Sequence, residues 1–247
     1  MDKKRNLFFS MIIGIFMCFS ICWTASAQAL KSNEEIHQDK IKMKNKWGEE
    51  VDVFFANTNT GATYNDVQNI IDDASDALAV TIYEVGGIET TEESFSEGKN
   101  PSLRSWSPPI GSTHKYVTTK TVTVPSRAVR DDFVISVAKG QTIILNKEYS
   151  GTLTGNISGK YFNKAKLGIK LSVTCKYSAT SKFTGPKSSD TANSREYRVR
   201  YYREDGKYIQ EDYCYKPNGK LYGIRSHGGT YQEAVKYAKY SIDRKYG

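Results

Sequence analysis

The chain has 247 residues, with 35 lysines and arginines against 27 aspartates and glutamates, for a formal net charge of +8. This length holds one domain, or a domain with a small appendage. The basic balance biases its partners toward anionic cell-wall polymers, polysaccharides or lipid head groups, although it also serves solubility, and nothing in it calls for nucleic acid.

Asp2, Lys3, Lys4 and Arg5 make a short basic opening, and Leu7 through Trp23 is apolar apart from Ser10, Gly14 and Ser20. These are the n-region and h-region of a secretory signal peptide. Small residues alternate over 24–29, which places cleavage after Ala29, or after Ala27 in the neighbouring frame. Residues 1–29 are therefore read as a signal peptide, since a membrane span needs about 20 apolar residues and carries no such tail. The mature chain is expected to be secreted and extracellular, with no stable transmembrane anchor. Only Cys175 and Cys214 remain in it. In an exported protein they can form a disulfide, and two buried thiols fit as well.

Residues 30–63 read as a polar leader, and 30–50 in particular lack any sustained apolar period. From Tyr64 to Ala79, Val67, Ile70, Ile71, Ala74 and Leu78 recur at helical spacing, while Asp72, Asp73 and Asp76 lie mostly off that face. An amphipathic helix follows from this pattern, and the aspartates, which lack calcium-loop spacing, read as solvated. Gly86-Gly87, Pro101 and Pro108-Pro109 mark a long Gly/Pro/Ser-rich connection, so 64–113 is read as helix plus connection.

An antiparallel β domain is expected over 114–247. Period-two alternation runs through Phe133, Ile135 and Val137, through Tyr149, Leu153 and Ile157, and most strongly from Leu167 to Phe183. The last run would measure roughly 55 Å as one strand, so it bends at Gly168 or near Cys175, or the sheet is unusually elongated. Asp205-Gly206 and Asn218-Gly219 suit type I′ turns. They predict a meander in which Arg200 faces Glu211, Tyr197 faces Cys214, Tyr215 faces Tyr222 and Asp212 faces Arg225. Thr230 and Glu233 form a capping-box pair ahead of the apolar stripe Ala234, Tyr237, Ala238 and Ile242, predicting a C-terminal capped helix. The expected fold is mainly β, antiparallel and sandwich-like or elongated, with an N-terminal amphipathic helix and this C-terminal one.

Catalytic motifs are missing from the sequence. It has no Gly-x-Ser-x-Gly elbow, no paired His or Cys at zinc spacing and no phosphate-cradling glycine loop, so no catalytic residue, metal or cofactor is expected. Glycosidase carboxylates need no local spacing, which keeps a secreted hydrolase without a recognisable motif as a second alternative.

Two segments have binding chemistry. From Tyr197 onward tyrosines interleave with arginines, a pairing of flat apolar faces and planar forks that suits carbohydrate or polyanions. Tyr197, Arg198, Arg200, Tyr202, Tyr213, Tyr215, Tyr222 and Arg225 are the candidate binding residues, although the same composition also makes ordinary strands with solvated faces. The second segment is 147–183. One face carries Tyr149, Leu153, Ile157, Leu167, Ile169, Leu171, Val173 and Tyr177. The other carries Ser150, Thr152, Thr154, Ser158, Ser172, Thr174, Ser178 and Thr180, with Lys170, Lys176 and Lys182. A membrane-spanning β-hairpin is written this way, and so is a half-buried sandwich strand. The pattern resembles the stem regions of aerolysin-type pore-forming proteins, a resemblance that implies insertion of 147–183 into a membrane.

The sequence thus predicts an exported, non-enzymatic interaction protein at an anionic surface, with a membrane-acting β-hairpin protein as the alternative, and leaves the oligomeric state open.

Overall fold

Lys40–Lys44 (β1) and Glu50–Phe55 (β2) alternate charged with apolar side chains, so their hairpin buries Met43, Val51 and Val53 on one side. Helix α1 (Tyr64–Asp72) is started by a capping box. The Asp66 N–H donates to the Thr63 hydroxyl, and the Thr63 N–H donates to the Asp66 carboxylate. Val67, Ile70 and Ile71 are buried, as the helical spacing predicts. The helix stops at Asp72, however, and Leu78 and Ala79 belong to β3 (Ala77–Gly86), which pairs parallel with β2.

The computed structural model describes residues 40–57, 60–87 and 106–247. Residues 1–29, read as a signal peptide, and most of the Gly/Pro/Ser-rich connection lie outside the described residues. Beyond the connection come β4 (Thr113–Ala138), β5 (Thr142–Ile144), β6 (Tyr149–Thr154), β7 (Asn156–Gly159), a one-turn 3-10 helix (Lys164–Lys166), β8 (Ser172–Tyr177), β9 (Lys182–Thr184), β10 (Ser194–Tyr215) and β11 (Leu221–Arg244). The protein is mainly β. One large mixed sheet has the order β1-β2-β3-β11-β10-β4, with β7 on β11, and β6–β8 and β5–β9 form two small antiparallel pairs. Residues 40–55, within the stretch read as a polar leader, are thus part of this sheet. β4, β10 and β11 have 26, 22 and 24 residues, roughly 70 to 85 Å each at about 3.3 Å per residue. The elongation inferred from 167–183 resides in these three strands instead. Residues 167–183 are broken after Gly168 and at Ser178–Ser181, where the Ser181 N–H closes a turn on the Ser178 carbonyl at 3.0 Å.

Several expectations are corrected. The C-terminal helix is strand β11. An extra residue, Val235, sits between Lys236, opposite Tyr202, and Ala234, opposite Arg203. This bulge switches faces, so Ala234 and Tyr237 pack on one side of the sheet and Ala238, Tyr240 and Ile242 on the other, a spacing that imitates a helical stripe. Asp205-Gly206 is no turn, because β10 runs through it. Gly206 is there for space, since a Cβ would run into the Tyr231 ring. Arg200 therefore faces Ala238 and Asp131 rather than Glu211, and Tyr197 faces Ser241 and Ile135 rather than Cys214. At Asn218-Gly219 a turn forms with Gly219 at φ +76, but Asn218 has no positive φ and the Lys216 N–H closes on the Lys220 carbonyl at 2.8 Å, so it is a three-residue loop rather than the type I′ turn expected. It places Tyr215 opposite Leu221, and a bulge at Tyr222 then restores the predicted pairing of Asp212 with Arg225.

Cys175 and Cys214 are both free and buried, so the disulfide is not formed. Cys175 packs beside Tyr201, and Cys214 lies thirteen residues further along β10. That is roughly 40 Å, whereas bridged cysteines keep their Cα atoms within about 7 Å.

The sheet is covered on both faces near its Ser194 end. α1 packs one face, in a core of Ile70, Ile71, Val80, Tyr202 and Tyr240. The segment 139–193 covers the other.

Candidate functional site

Segment 139–193 joins two adjacent strands of the sheet, and its own pairing is that of a single hairpin. Thr142 opposes Thr184, Tyr149 opposes Tyr177 and Thr154 opposes Ser172, one register throughout both small pairs. The arms, 142–154 and 172–184, each exceed the 9 to 11 residues or so that a tilted strand needs to cross a bilayer. At the base, Lys139 N–H donates to Asn193 O at 2.9 Å, continuing the β4–β10 register, and Gly140 N–H donates to Pro186 O at 2.8 Å. Gly140 has φ +70, and a Cβ at Gly185 would collide with the Ala138 carbonyl. Gly140 and Gly185-Pro186 are the hinge at which the hairpin folds back over the face of its own sheet.

The fold-back is readable contact by contact. Phe183 meets Tyr197 edge-on at 4.7 Å, Val173 and Cys175 pack on Val199, Tyr201 and Ala234, and Leu167 packs on Tyr208 and Tyr231. At the tip, the Phe162 ring stacks on His227 at 4.2 Å and lies 4.8 Å from the Arg225 guanidinium. Ser150, Thr152, Thr154, Thr174 and Lys176 face outward. Thr152 and Thr174 share a hydroxyl hydrogen bond of 2.9 Å across the hairpin. Lys170, placed by its sequence with the outward cations, is half-buried and donates to the Gly87 and Val235 carbonyls at 2.5 and 3.3 Å.

Polar groups of the sheet hold the hairpin at its middle and tip. In β4, the Arg130 guanidinium donates to Thr152 O at 2.9 Å, and Asp132 accepts from the Tyr149 hydroxyl at 2.8 Å. Arg130's hydrogen bonds hold the Asp132 carboxyl below its ordinary range, and burial pushes the Tyr149 phenol up, so Tyr149 remains the donor. At the tip Gln210, fully buried in β10, accepts from the Phe162 and Asn163 N–H groups at 2.7 and 2.8 Å. Its amide donates to Asn163 O at 2.8 Å and to the Thr118 hydroxyl at 3.3 Å. Burial pushes the Cys175 thiol, inside the interface, up to about 12.

The eight Tyr/Arg candidates do not make one surface. Tyr197 is buried, its hydroxyl bonded to Thr184 N–H and O at 3.1 and 2.8 Å, so it anchors the return arm of the hairpin. Arg200 is 4% exposed, bound to Asp131 at 2.7 Å, to Asp73 at 3.0 Å and to the Asn69 carbonyl of α1 at 2.8 Å. Burial would lower its pKa, but Tyr240 and Asp131 outweigh this and keep it charged. Tyr202 is buried beneath Lys236, and Arg198 is half-buried on Asp131 and Glu196. The remaining four lie at the far end of the meander. Tyr213 bonds Glu211 at 2.8 Å, Tyr215 is half-buried, Tyr222 meets Trp106 edge-on, and Arg225 lies between Trp106 and Phe162 while donating to buried Asp212 at 2.6 Å. Sequence reasoning missed Gln210, Arg130 and Asp132, because one buried amide and a surface-type ion pair carry no local signature.

Among the described residues no three His, Cys, Asp or Glu side chains are placed to hold a metal ion. Among them, too, no helix is long and apolar enough to cross a membrane, which says nothing of strands. No protein-family model, curated protein or solved structure matches this chain.

Proposed function

We propose that the chain is an exported, non-enzymatic protein that acts at anionic membranes by releasing the 139–193 hairpin from its sheet. The observation that carries this reading is the single register of 142–154 with 172–184, folded back at Gly140 and Gly185-Pro186 so that its apolar face lies on the sheet and its Ser/Thr face outward. An isolated two-stranded hairpin is marginal in water. Once off the sheet it needs another apolar phase, and its alternation suits a strand pair with one face to lipid and one to water. Straightening the hinge would lengthen β4 and β10 by these arms without breaking the β4–β10 ladder.

Dye-loaded vesicles containing anionic lipid test the reading with the purified secreted protein at low and moderate salt. Release, accompanied by detergent-resistant oligomers, is the expected result. Binding that weakens with salt and leaves the dye inside would instead favour the second reading, a secreted binder of anionic polymers. The exposed tyrosine and lysines of the far meander end, Tyr222, Lys216 and Lys220, support that one.

A further inference from the structure

The β1–β2 turn presents a tryptophan on a rigid support. Asn45, 5% exposed, organises it: its side-chain carbonyl accepts from the Trp47 and Glu49 N–H groups at 3.1 and 2.9 Å, and its amide donates to the Glu49 carboxylate at 2.8 Å. The main chain closes the turn through Asn45 N–H to Glu49 O at 3.0 Å, with Gly48 at φ +83. At its tip Trp47 is 49% exposed, with the Lys46 ammonium 4.5 Å over its ring. Lys40 and Lys42 pair with Asp52 and Glu50, whereas among the described residues no carboxylate pairs with Lys44 or Lys46.

Register fixes which end of the sheet carries this turn. Asp52 is level with Ala79, Ala79 with Asp243, Asp243 with Arg195 and Arg195 with Val137. Glu50, where the turn re-enters β2, is therefore level with the Ala138–Ser194 end, from which the hairpin departs. Lys139, Lys187 and Lys245 belong to the same end.

We infer that Trp47, with Lys44 and Lys46, is a docking point for the interface of an anionic bilayer, seating the protein by the end toward which a straightened hairpin would project. Indole favours the head-group level of a bilayer, and each lysine there gains from anionic lipid. A sugar ring would need the indole face that Lys46 covers, while a bilayer takes both groups together. The inference rests on the membrane-acting reading only for its biological purpose; docking and insertion are separate events.

Co-sedimentation of the secreted protein with phosphatidylcholine/phosphatidylglycerol vesicles separates them. Trp47→Ala should weaken binding roughly tenfold. Lys44→Gln with Lys46→Gln should weaken it roughly 25-fold at low salt. In a Trp106→Phe background, Trp47 emission should shift to the blue and be quenched by lipid-borne bromine. Unchanged melting of each variant shows that the fold is intact. Loss of binding in the variants supports docking even where wild type releases no dye, an outcome that sinks the insertion reading alone. Unaltered vesicle affinity in both variants, or Trp47 emission that answers a soluble anionic polysaccharide and not the vesicles, overturns docking.

Discussion

Gln210 holds Asn163 from both sides of its backbone, its carbonyl oxygen taking the Asn163 N–H at 2.8 Å and its amide donating to the Asn163 carbonyl at 2.8 Å. A buried amide satisfied this fully acts as a clip, because removing it leaves backbone groups without partners at the hairpin tip. Gln210→Ala should weaken tip docking by roughly 2 kcal/mol, the cost of stranding buried donors. Cys175 reports it: in a Cys214→Ser background this thiol lies in the hairpin–sheet interface and should label only when the hairpin lifts. The variant should label roughly 30-fold faster, and its melting should fall by roughly 4 to 8 °C. Equal labelling rates would remove Gln210 from the release step.

Acid should lower the stability of the fold through Asp132. Asp132 is held below the ordinary aspartate value of 3.8, first by hydrogen bonding from Arg130 and then, against some burial, from Tyr149. A carboxyl depressed in the folded state contributes stability above its unfolded value and loses it as pH falls through the folded one. Stability against urea should therefore stay flat from neutral pH down to about pH 4 and fall below it. Asp132→Asn should be less stable already at neutral pH and show less of the acid loss. A loss centred near pH 6 would place the sensitive group elsewhere.

Arg200 is a structural residue in this account. Its guanidinium ties Asp131 of β4 to the end of α1, so Arg200→Ala leaves the Asn69 carbonyl without this donor and Asp131 with only Arg198 and Tyr240 as partners. The expected loss is roughly 3 kcal/mol, the low end for a broken buried pair because Asp131 keeps some solvent. Thermal melting should fall by roughly 6 to 12 °C. Glu211→Arg should give Arg200→Glu no rescue, since the two residues lie eleven positions apart on one strand. Rescue would restore the Asp205-Gly206 turn and overturn the register described above.

Local chemistry made some of this fold legible and concealed the rest. The spacing of Val67, Ile70 and Ile71 marks α1, Asn218-Gly219 turns β10 into β11, and Asp212 meets Arg225, each dictated by local residues. Thr230 and Glu233 obey the capping rule, yet their segment pairs with β10 and β3, and the bulge at Val235 gives strand residues a helical spacing. At Gly206 the turn signal and the space-making role of glycine look alike in sequence, and only the Tyr231 ring distinguishes them. The two-faced pattern of 147–183 was visible, but its apolar partner on the sheet and its hinge depend on Tyr201, Ala234 and Ala138, far away in the chain. Trp47 fell inside a stretch judged featureless, although Asn45-Lys46-Trp47-Gly48 has the composition of a tight turn.

Release and insertion of the hairpin are tested most directly by single-cysteine variants at 172–177, labelled with a small polarity-sensitive fluorophore and mixed with anionic vesicles. The account predicts alternation: labels at 173, 175 and 177 quenched by a lipid-borne quencher, and labels at 172, 174 and 176 quenched by aqueous iodide. Vesicle-bound protein whose six labels all keep the spectra and iodide accessibility of the soluble state would contradict it.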